Sequence, residues 1–285
     1  MSERQRLRTA LKRVEPLRRA IHELRLLRIY KRLRPDRFAL AGSDHTIFVD
    51  RREPRGRALL LGRGAGQPAV KSVWNWAVGA LEPEAVIDVG ANYGEFLFLP
   101  TYSPSARVIG IEANPSLLPY LERSCSLHPN CGQIELYSAL AGPVSEGSVD
   151  FYVDQRWSGR SSALLHKTIR EPERTRVQRL AVDSLFAATG QPRCLLFKID
   201  VEGYEPEVLA GMTDVLSASE RALGILECND QLLKELGTSR AAFLSELRGL
   251  GDLYFVEQDA TLGPLPSDFA ASSGQEGDDV VIVRG

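Results

Sequence analysis

The chain has 285 residues, of which 44% are hydrophobic and 25% are charged, as in an ordinary soluble globular protein. It contains no run of about 18 apolar residues and no apolar leader core, so we expect neither a transmembrane helix nor a signal peptide. The four cysteines form no Cys-x-x-Cys pair. We therefore expect reduced thiols in a cytoplasmic protein rather than a structural zinc site.

The charge is unevenly distributed along the chain. Residues 1–37 hold 13 Lys/Arg and 4 Asp/Glu, a balance of +9, and the remainder carries −11. Leucines and other apolar residues recur every three or four positions over 2–33, which predicts a basic amphipathic helical extension over residues 1–40. The extension could pack on the body or form a homodimer. It could instead contact an anionic membrane surface, an acidic carrier protein or nucleic acid. The acidic body argues against a nucleic-acid substrate.

Residues 41–285 form the predicted main domain. Apolar runs predict two strands at 46–50 and 58–61, and a helix follows over 67–80. The tryptophans of that helix, Trp74 and Trp76, belong either to the core or to a cofactor pocket.

A short buried strand at 86–89 runs directly into a glycine turn. The turn carries Gly90 and Gly94 in a Gly-x-x-x-Gly spacing, and a helix-like segment at 95–99 follows. A dinucleotide fingerprint needs Gly-x-Gly-x-x-Gly, and Asp88 would repel a pyrophosphate. The carboxylate suits a cationic ligand without phosphate, so we predict a site for S-adenosylmethionine (SAM). The alternative is a strand-to-helix turn without a ligand.

The second and third strands are predicted at 107–111 and 133–137. Glu112 ends the second strand, 18 residues after Gly94, where a carboxylate can accept hydrogen bonds from both ribose hydroxyls. Asn114-Pro115 is expected to begin the next helix. Ser138 and Ala139 end the third strand, where an adenine edge could lie. Residues 144–182 then predict an inserted β-hairpin that forms the rim of a substrate pocket.

Strand four is predicted at 194–201, and Glu202-Gly203 closes it. Lys198, Asp200 and Glu202 stand at alternate positions, which on a strand places them on one face. Charged residues at the carboxyl end of a central parallel strand lie where open α/β sheets bind ligands. Their burial requires partners or a function, so a structural ion-pair network is the alternative.

The rest of the chain continues the alternation. It predicts helices at 205–216 and 231–250, strands at 222–228, 253–256 and 280–283, and a loop at 259–279 that overhangs the pocket. Glu227 and Asp230, at the end of strand five, could join Asp200 as oxygen ligands for Mg²⁺.

Three motifs together resemble the FkbM family of SAM-dependent methyltransferases. They are Val86-Ile-Asp-Val-Gly-Ala-Asn-Tyr-Gly-Glu95, Gly110-Ile-Glu-Ala-Asn-Pro115 and Lys198-Ile-Asp-Val-Glu-Gly-Tyr-Glu205, in the family's order. The resemblance covers about residues 45–284. It implies an α/β, Rossmann-like class I methyltransferase fold, with a seven-stranded, mostly parallel sheet whose last strand is antiparallel. It also implies O-methylation, commonly of a sugar, glycan or polyketide-type natural product.

The resemblance also assigns roles to residues. The expected cofactor-binding residues are Asp88, Gly90, Asn92, Tyr93, Gly94, Glu112, Asn114, Ser138, Ala139 and Asp200. The expected catalytic residues are Asp200, Glu202 and Lys198, with Asp200 as the first candidate for the general base. The alternatives to a small-molecule O-methyltransferase are a methyltransferase of a membrane-associated glycan or lipid and a non-catalytic SAM-binding protein.

Overall fold

A computed structural model describes residues 35–265, 269 and 279–285. The predicted helix over 2–33 and most of the loop over 259–279 lie outside these residues. Residues 37–39, at the end of the predicted helical extension, form a strand instead. Within the described ranges, none of the helices combines the length and the apolar character needed to cross a membrane.

The described chain alternates strands and helices. The strands are β1 Arg37–Ala39, β2 Thr46–Phe48, β3 Ala85–Val89, β4 Arg107–Glu112, β5 Ile134–Ser138, β6 Leu140–Ala141, β7 Ser148–Asp154, β8 Pro172–Leu180, β9 Cys194–Ile199, β10 Arg221–Glu227, β11 Asp252–Val256, β12 Leu262–Pro264 and β13 Asp279–Arg284. The α-helices are α1 Pro54–Gly62, α2 Pro68–Leu81, α3 Leu118–Cys125, α4 Glu205–Ala210, α5 Thr213–Ala218, α6 Asp230–Leu236 and α7 Arg240–Arg248.

The main sheet has the order β12-β11-β13-β10-β9-β3-β4-β5. Strands β5, β4, β3, β9 and β10 are parallel neighbours, and β13 runs antiparallel to both β10 and β11. The antiparallel last strand is as predicted. The short edge strand β12 adds an eighth strand to the predicted seven.

Helices cover both faces of this sheet, which explains why its central strands are continuous apolar runs. Val86 and the fully buried Trp74 belong to the core under α1, α2 and α3. Ile87, the next residue along β3, belongs to the core under α4 to α7. The alternation of side chains along a strand divides β3 between two cores. Trp76 is 58% exposed, so neither tryptophan of α2 reaches a pocket.

Two predicted elements have another structure. Residues 58–61 belong to helix α1, not to a strand, because Glu53 caps the helix through the backbone N–H groups of Arg55 and Gly56. A short apolar run alone does not distinguish a helix from a strand. The predicted helix-like segment at 95–99 consists of turns, and Pro100 follows it.

Three predicted helices have different limits. Helix α3 begins at Leu118 and not at Asn114-Pro115. The helix predicted over 205–216 is divided into α4 and α5, and the one predicted over 231–250 into α6 and α7. In the second case Gly237 ends α6 with a φ of 93°, in the left-handed region that favours glycine.

The inserted hairpin consists of β7 and β8, which pair antiparallel from Ser148↔Gln178 to Asp154↔Pro172. Strand β8 also pairs with the short strand β6, which follows β5 directly. The long loop between β7 and β8 is thereby attached to the edge of the main sheet where β5 ends.

Candidate active site

A cavity of about 780 Å³ opens at the carboxyl ends of β3, β4, β9 and β10. This volume lies in the range of small-molecule sites, and the carboxyl edge of the parallel strands is where open α/β sheets bind ligands. Its wall comes from the segments that follow those four strands, from residues 139–141, from the hairpin loop and from the start of α6.

The glycine turn forms one side of the cavity. Gly90 has a φ of 80°, and a Cβ there would collide with the backbone carbonyl oxygen of Asp200. Glycine is therefore required where the segments after β3 and β9 approach each other. Asn92 lines the cavity with a φ of 49°, and its buried Oδ1 has no hydrogen-bond partner among the described residues. That oxygen can accept a hydrogen bond from a ligand.

Glu112 lies at the end of β4 and borders the cavity. Its two carboxylate oxygens accept hydrogen bonds from the backbone N–H groups of Asn92 and Asn114, each at 2.7 Å. Burial raises the pKa of Glu112 to about 7, against these hydrogen bonds, which favour the charged form. Each oxygen retains a lone pair, so the carboxylate can still accept hydrogen bonds from a ribose.

The third side of the cavity is apolar. Ala139, Leu140 and Ala141 line it together with Phe151 of the hairpin. This surface suits the flat face of a base. Ser138, which was expected beside the adenine, is exposed and lies outside the cavity wall.

Lys198 and Asp200 form an ion pair beneath the reactive side of the cavity. The Lys198 Nζ donates to Asp200 Oδ2 at 2.6 Å, and the lysine is only 3% exposed. Burial disfavours the charged lysine, but the carboxylates of Asp200 and Asp88 outweigh that effect and raise the pKa of Lys198. Asp200 itself lines the cavity, whereas Lys198 does not. The ammonium therefore holds Asp200 in place.

Asp88 lies opposite Lys198 in the register of β3 and β9 and is 1% exposed. Burial raises the pKa of Asp88 to about 6, although the Lys198 ammonium favours its charged form. Asp88 does not line the cavity. The Asp88 carboxylate, which the sequence predicts beside the cofactor, thus lies beneath the cavity wall.

Three carboxylates meet at the floor of the cavity. Asp200, Glu202 and Glu227 each offer an oxygen within 4.8 Å of the others. Burial, followed by the charge of the neighbouring carboxylates, raises the pKa values of Glu202 and Glu227 well above their ordinary range. We call these three residues the acidic cluster. Asp230, which was expected to join Asp200 and Glu227, instead pairs with Lys234 at 2.5 Å.

Glu205 shapes the turn that presents Glu202. Its Oε1 accepts hydrogen bonds from the backbone N–H groups of Val201 and Gly203, each at 3.1 Å. Glu202 has a φ of 56°, which is unfavourable for a residue with a Cβ. The buried Glu205 maintains this strained turn, so it is a positioning residue.

The hairpin loop covers the cavity, and we call residues 157–160 the roof. The backbone N–H of Ser158 donates to Glu53 Oε1 at 3.0 Å, and the Asn92 Nδ2 donates to the Ser158 Oγ at 3.4 Å. The Arg55 guanidinium lies over the Trp157 ring, and it pairs with Glu95, which also binds Lys71 at 2.7 Å. The roof is thus held by the segment before α1 and by the glycine turn.

The cavity brings together only part of the predicted set. Gly90, Asn92, Glu112, Ala139, Asp200, Glu202, Glu227 and Asp230 line it. The other predicted residues, Asp88, Tyr93, Gly94, Asn114, Ser138 and Lys198, lie outside its wall. The assigned roles remain predictions.

Some of the outside residues support the site. Tyr93 is fully buried, and its hydroxyl donates to Glu53 at 3.2 Å. Gly94 is needed where a Cβ would collide with the Phe98 ring. The sequence reading did not assign Glu205 or the roof contacts of Glu53 and Arg55. Glu205 could have been found, because it is the last residue of the motif that begins at Lys198.

A parallel sheet of this order, with an antiparallel last strand and a ligand cavity at its carboxyl edge, defines a Rossmann-like class I methyltransferase. The family described as Methyltransferase FkbM domain matches residues 88–254, more than half of the chain. The chain therefore belongs to the FkbM family and is a SAM-dependent methyltransferase.

Several known proteins are similar to this chain. The AMB antimetabolite synthetase AmbE of Pseudomonas aeruginosa is 29% identical over 221 residues, which cover 64% of this chain and 10% of AmbE. The chain thus spans about a tenth of that relative's length. The structure of methyltransferase FkbM from Methylobacillus flagellatus is 14% identical with a TM-score of 0.43, over 96% of this chain and 60% of that one. The SAM complex of the O-methyltransferase TomG from Streptomyces achromogenes, which is involved in tomaymycin synthesis, is 14% identical with a TM-score of 0.43, over 76% and 80%.

Proposed function

We propose that this protein transfers the methyl group of SAM to a hydroxyl of a small molecule, a sugar or a polyketide-type natural product. The acidic cluster carries the proposal, because it lies in the same cavity as Glu112 and the glycine turn. The relation to AmbE, whose name describes the synthesis of an antimetabolite, supports an acceptor in natural-product biosynthesis.

The cavity suits SAM in size and in its polar groups. Glu112 would accept hydrogen bonds from the ribose, the unpartnered Asn92 Oδ1 would accept one from a donor of the cofactor, and Ala139 would lie beside the adenine. SAM supplies a methyl group that its sulfonium already activates.

The residues of this chain then have two tasks, alignment and proton removal. The roof and the glycine turn exclude water and hold the acceptor oxygen in line with the methyl carbon. Alignment of this kind contributes roughly 7–11 kcal/mol. As the oxygen–carbon bond forms and the sulfur–carbon bond breaks, the hydroxyl proton passes to a carboxylate of the acidic cluster.

Asp200 is the proposed base. Its Oδ2 is fixed by Lys198, and its Oδ1 remains available to a hydroxyl. Glu202 and Glu227 have strongly raised pKa values, which favour their protonated forms. Glu202, the second candidate, can act as the base only when it is ionised. His128 and His166 are outside the cavity wall, and burial lowers both of their pKa values.

The acidic cluster also suits a divalent cation, so we propose Mg²⁺ as a second ligand. Asp200, Glu202 and Glu227 offer oxygen ligands, which Mg²⁺ prefers, and the buried Glu227 Oε2 has no hydrogen-bond partner among the described residues. Calorimetric titration with MgCl₂ should give saturable binding that Glu227→Gln weakens. Equal heats for both proteins, or turnover unchanged by EDTA, would remove the metal.

The proposed activity is tested by incubating the protein with isotopically labelled SAM and a panel of glycosides and polyketides. Mass spectrometry and NMR should locate the label on an oxygen of the product, and Asp200→Asn should form little of that product. A label on nitrogen or carbon would contradict the assignment of a hydroxyl acceptor.

A further inference from the structure

A second cavity adjoins the active site on the outer side of the roof. It has a volume of about 490 Å³ and is lined by Arg52, Pro54 and Arg57 from the start of α1, and by Gln155, Arg156, Trp157, Arg160 and Arg170 from the hairpin loop. Five of its eight lining residues are arginines and none is acidic. We call it the arginine pocket.

Few of these positive charges are neutralised. Arg52 lies 3.6 Å from Asp50 and Arg156 lies 3.7 Å from Glu171, and both pairs are long and exposed. Ion pairs of this kind contribute little to stability and are screened by salt. Within the part of the chain that the structure describes, the ion pairs do not include Arg57, Arg160 or Arg170. The arginine pocket therefore has a clear excess of positive charge.

The loop that carries these arginines is organised by one buried carboxylate. Asp154 is 1% exposed and accepts hydrogen bonds from the backbone N–H groups of Arg156, Trp157 and Arg170, at 2.7, 2.9 and 3.0 Å. Because Arg170 lies at the other end of the loop, this carboxylate brings both ends together. The backbone at Arg156 and at Arg170 is thus held by the same buried side chain.

The arginine pocket and the active site share two residues. Trp157 and Arg160 line both cavities, and the Arg160 guanidinium lies 6.0 Å from the centre of the Trp157 ring. The charge of Arg160 also acts on Glu202, a member of the acidic cluster. Arg160 therefore borders both the cavity of the acidic cluster and the arginine pocket.

The chemistry of the arginine pocket favours a phosphate. A phosphate monoester carries a charge of about −1.5 to −2 at pH 7 and three strong acceptor oxygens, and guanidinium groups bind it in a bidentate manner. A carboxylate has one charge and two acceptor oxygens, so it would satisfy fewer of these guanidinium groups than a phosphate. SAM has no phosphate group, so the anion belongs to the acceptor.

We propose that the acceptor is a phosphorylated small molecule whose phosphate binds in the arginine pocket while its hydroxyl lies at the acidic cluster. This inference rests on the proposed function, because it assigns a chemical class to the acceptor of the same site.

Inorganic pyrophosphate and inorganic phosphate are suitable probes, and binding is measured by calorimetry on the full chain. Sodium acetate at equal ionic strength serves as the carboxylate control. Saturable binding of both phosphates, with no binding of acetate, is expected. Equal affinity for acetate and phosphate, or no phosphate binding, would overturn the proposal.

The double variant Arg57→Glu/Arg170→Glu removes two charge-assisted contacts and should weaken pyrophosphate binding by at least about 10-fold. Arg221→Glu/Arg248→Glu is the matched control, since it changes the net charge by the same amount and both arginines are exposed and lie outside both cavities. It should leave the affinity nearly unchanged. An equal loss in both proteins would show a general effect of net charge and would contradict a built site.

A parallel titration with SAM separates this inference from the proposed function. The Arg57→Glu/Arg170→Glu protein should bind SAM as the wild type does, which also shows that it is folded; Arg57→Gln/Arg170→Gln replaces it if it is not. Intact SAM binding with no phosphate binding by the wild type refutes the arginine pocket alone. Absence of SAM binding by the wild type refutes the proposed function as well.

Discussion

The floor and the outer rim of the active site carry opposite charges and are built in different ways. The acidic cluster of the floor lies at the ends of β9 and β10, where neighbouring parallel strands fix its carboxylates. The arginine pocket of the rim lies on α1 and a hairpin loop, where one buried aspartate sets the geometry. The floor is half-buried at the base of a cavity, whereas the arginine pocket faces outward.

This difference suits the floor to the methyl-transfer step and the rim to binding of the acceptor. At the floor, burial raises the pKa values of Glu202 and Glu227, and Asp200 is the proposed base for a hydroxyl proton. Exposed guanidinium groups at the rim remain charged and can only attract and orient an anion. On the proposed function, the sheet positions the reacting groups and the inserted loop selects the acceptor.

The largest effect is expected at the floor. Asp200→Asn removes the proposed base while preserving the shape of the side chain, so turnover should fall by about 10²–10⁴-fold. Steady-state rates with a hydroxyl acceptor measure this loss. Asp214→Asn, at an exposed position in α5, is the matched control and should keep full turnover. Full activity of Asp200→Asn would remove Asp200 from the mechanism.

A change in pH should affect the stability of the buried side of the site. Burial raises the folded-state pKa of Glu112 from 4.5 to about 7. The folded state then binds the proton more tightly than the unfolded state. The stabilisation is present below the unfolded pKa and is lost as the pH rises through about 7.

Glu112→Gln cannot titrate, so the difference between wild type and variant isolates this group. Relative to the variant, the free energy of unfolding of the wild type should fall by up to about 3 kcal/mol between about pH 4.5 and 8. Urea unfolding of both proteins at several pH values measures it. Parallel stability curves would show that Glu112 is not desolvated in the folded protein.

The smallest effect is expected at the connection between the two regions. Glu53→Ala removes the cap of α1 and the acceptor for Ser158 N–H, so about 0.5–2 kcal/mol of stability should be lost. Hydrogen exchange of residues 157–160 should become faster. Ser239→Ala removes the cap of α7 and should leave exchange in the roof unchanged. Equal exchange of the roof in both variants would contradict its attachment to Glu53.

The sequence predicts the floor better than the rim. Strand periodicity and the order of parallel strands bring Asp200 and Glu227 together, because neighbouring parallel strands end at the same edge. The pairing of Asp230 with Lys234 depends on where α6 begins, which periodicity does not determine. The left-handed conformation of Glu202 is maintained by Glu205 and cannot be found from the spacing of charges.

The rim depends on contacts between distant parts of the chain. Glu53 and Ser158 are 105 residues apart, and their hydrogen bond exists only because α1 packs beside the hairpin loop. The same region contains the residues 58–61 that the apolar pattern misassigned to a strand. Because the sequence does not predict helix α1, it also does not indicate that Arg57 and Arg170 line one cavity.

The central claim is that Glu112 binds the cofactor, whereas Asp200 acts in the reaction. Calorimetric titration of SAM into the wild type, Glu112→Ala and Asp200→Asn tests this claim most directly. Glu112→Ala should weaken SAM binding by about 10-fold or more, since charge-assisted hydrogen bonds to the ribose are lost. Asp200→Asn should bind SAM like the wild type. Unchanged affinity of Glu112→Ala for SAM, or an equal loss of affinity in Asp200→Asn, would contradict these two roles.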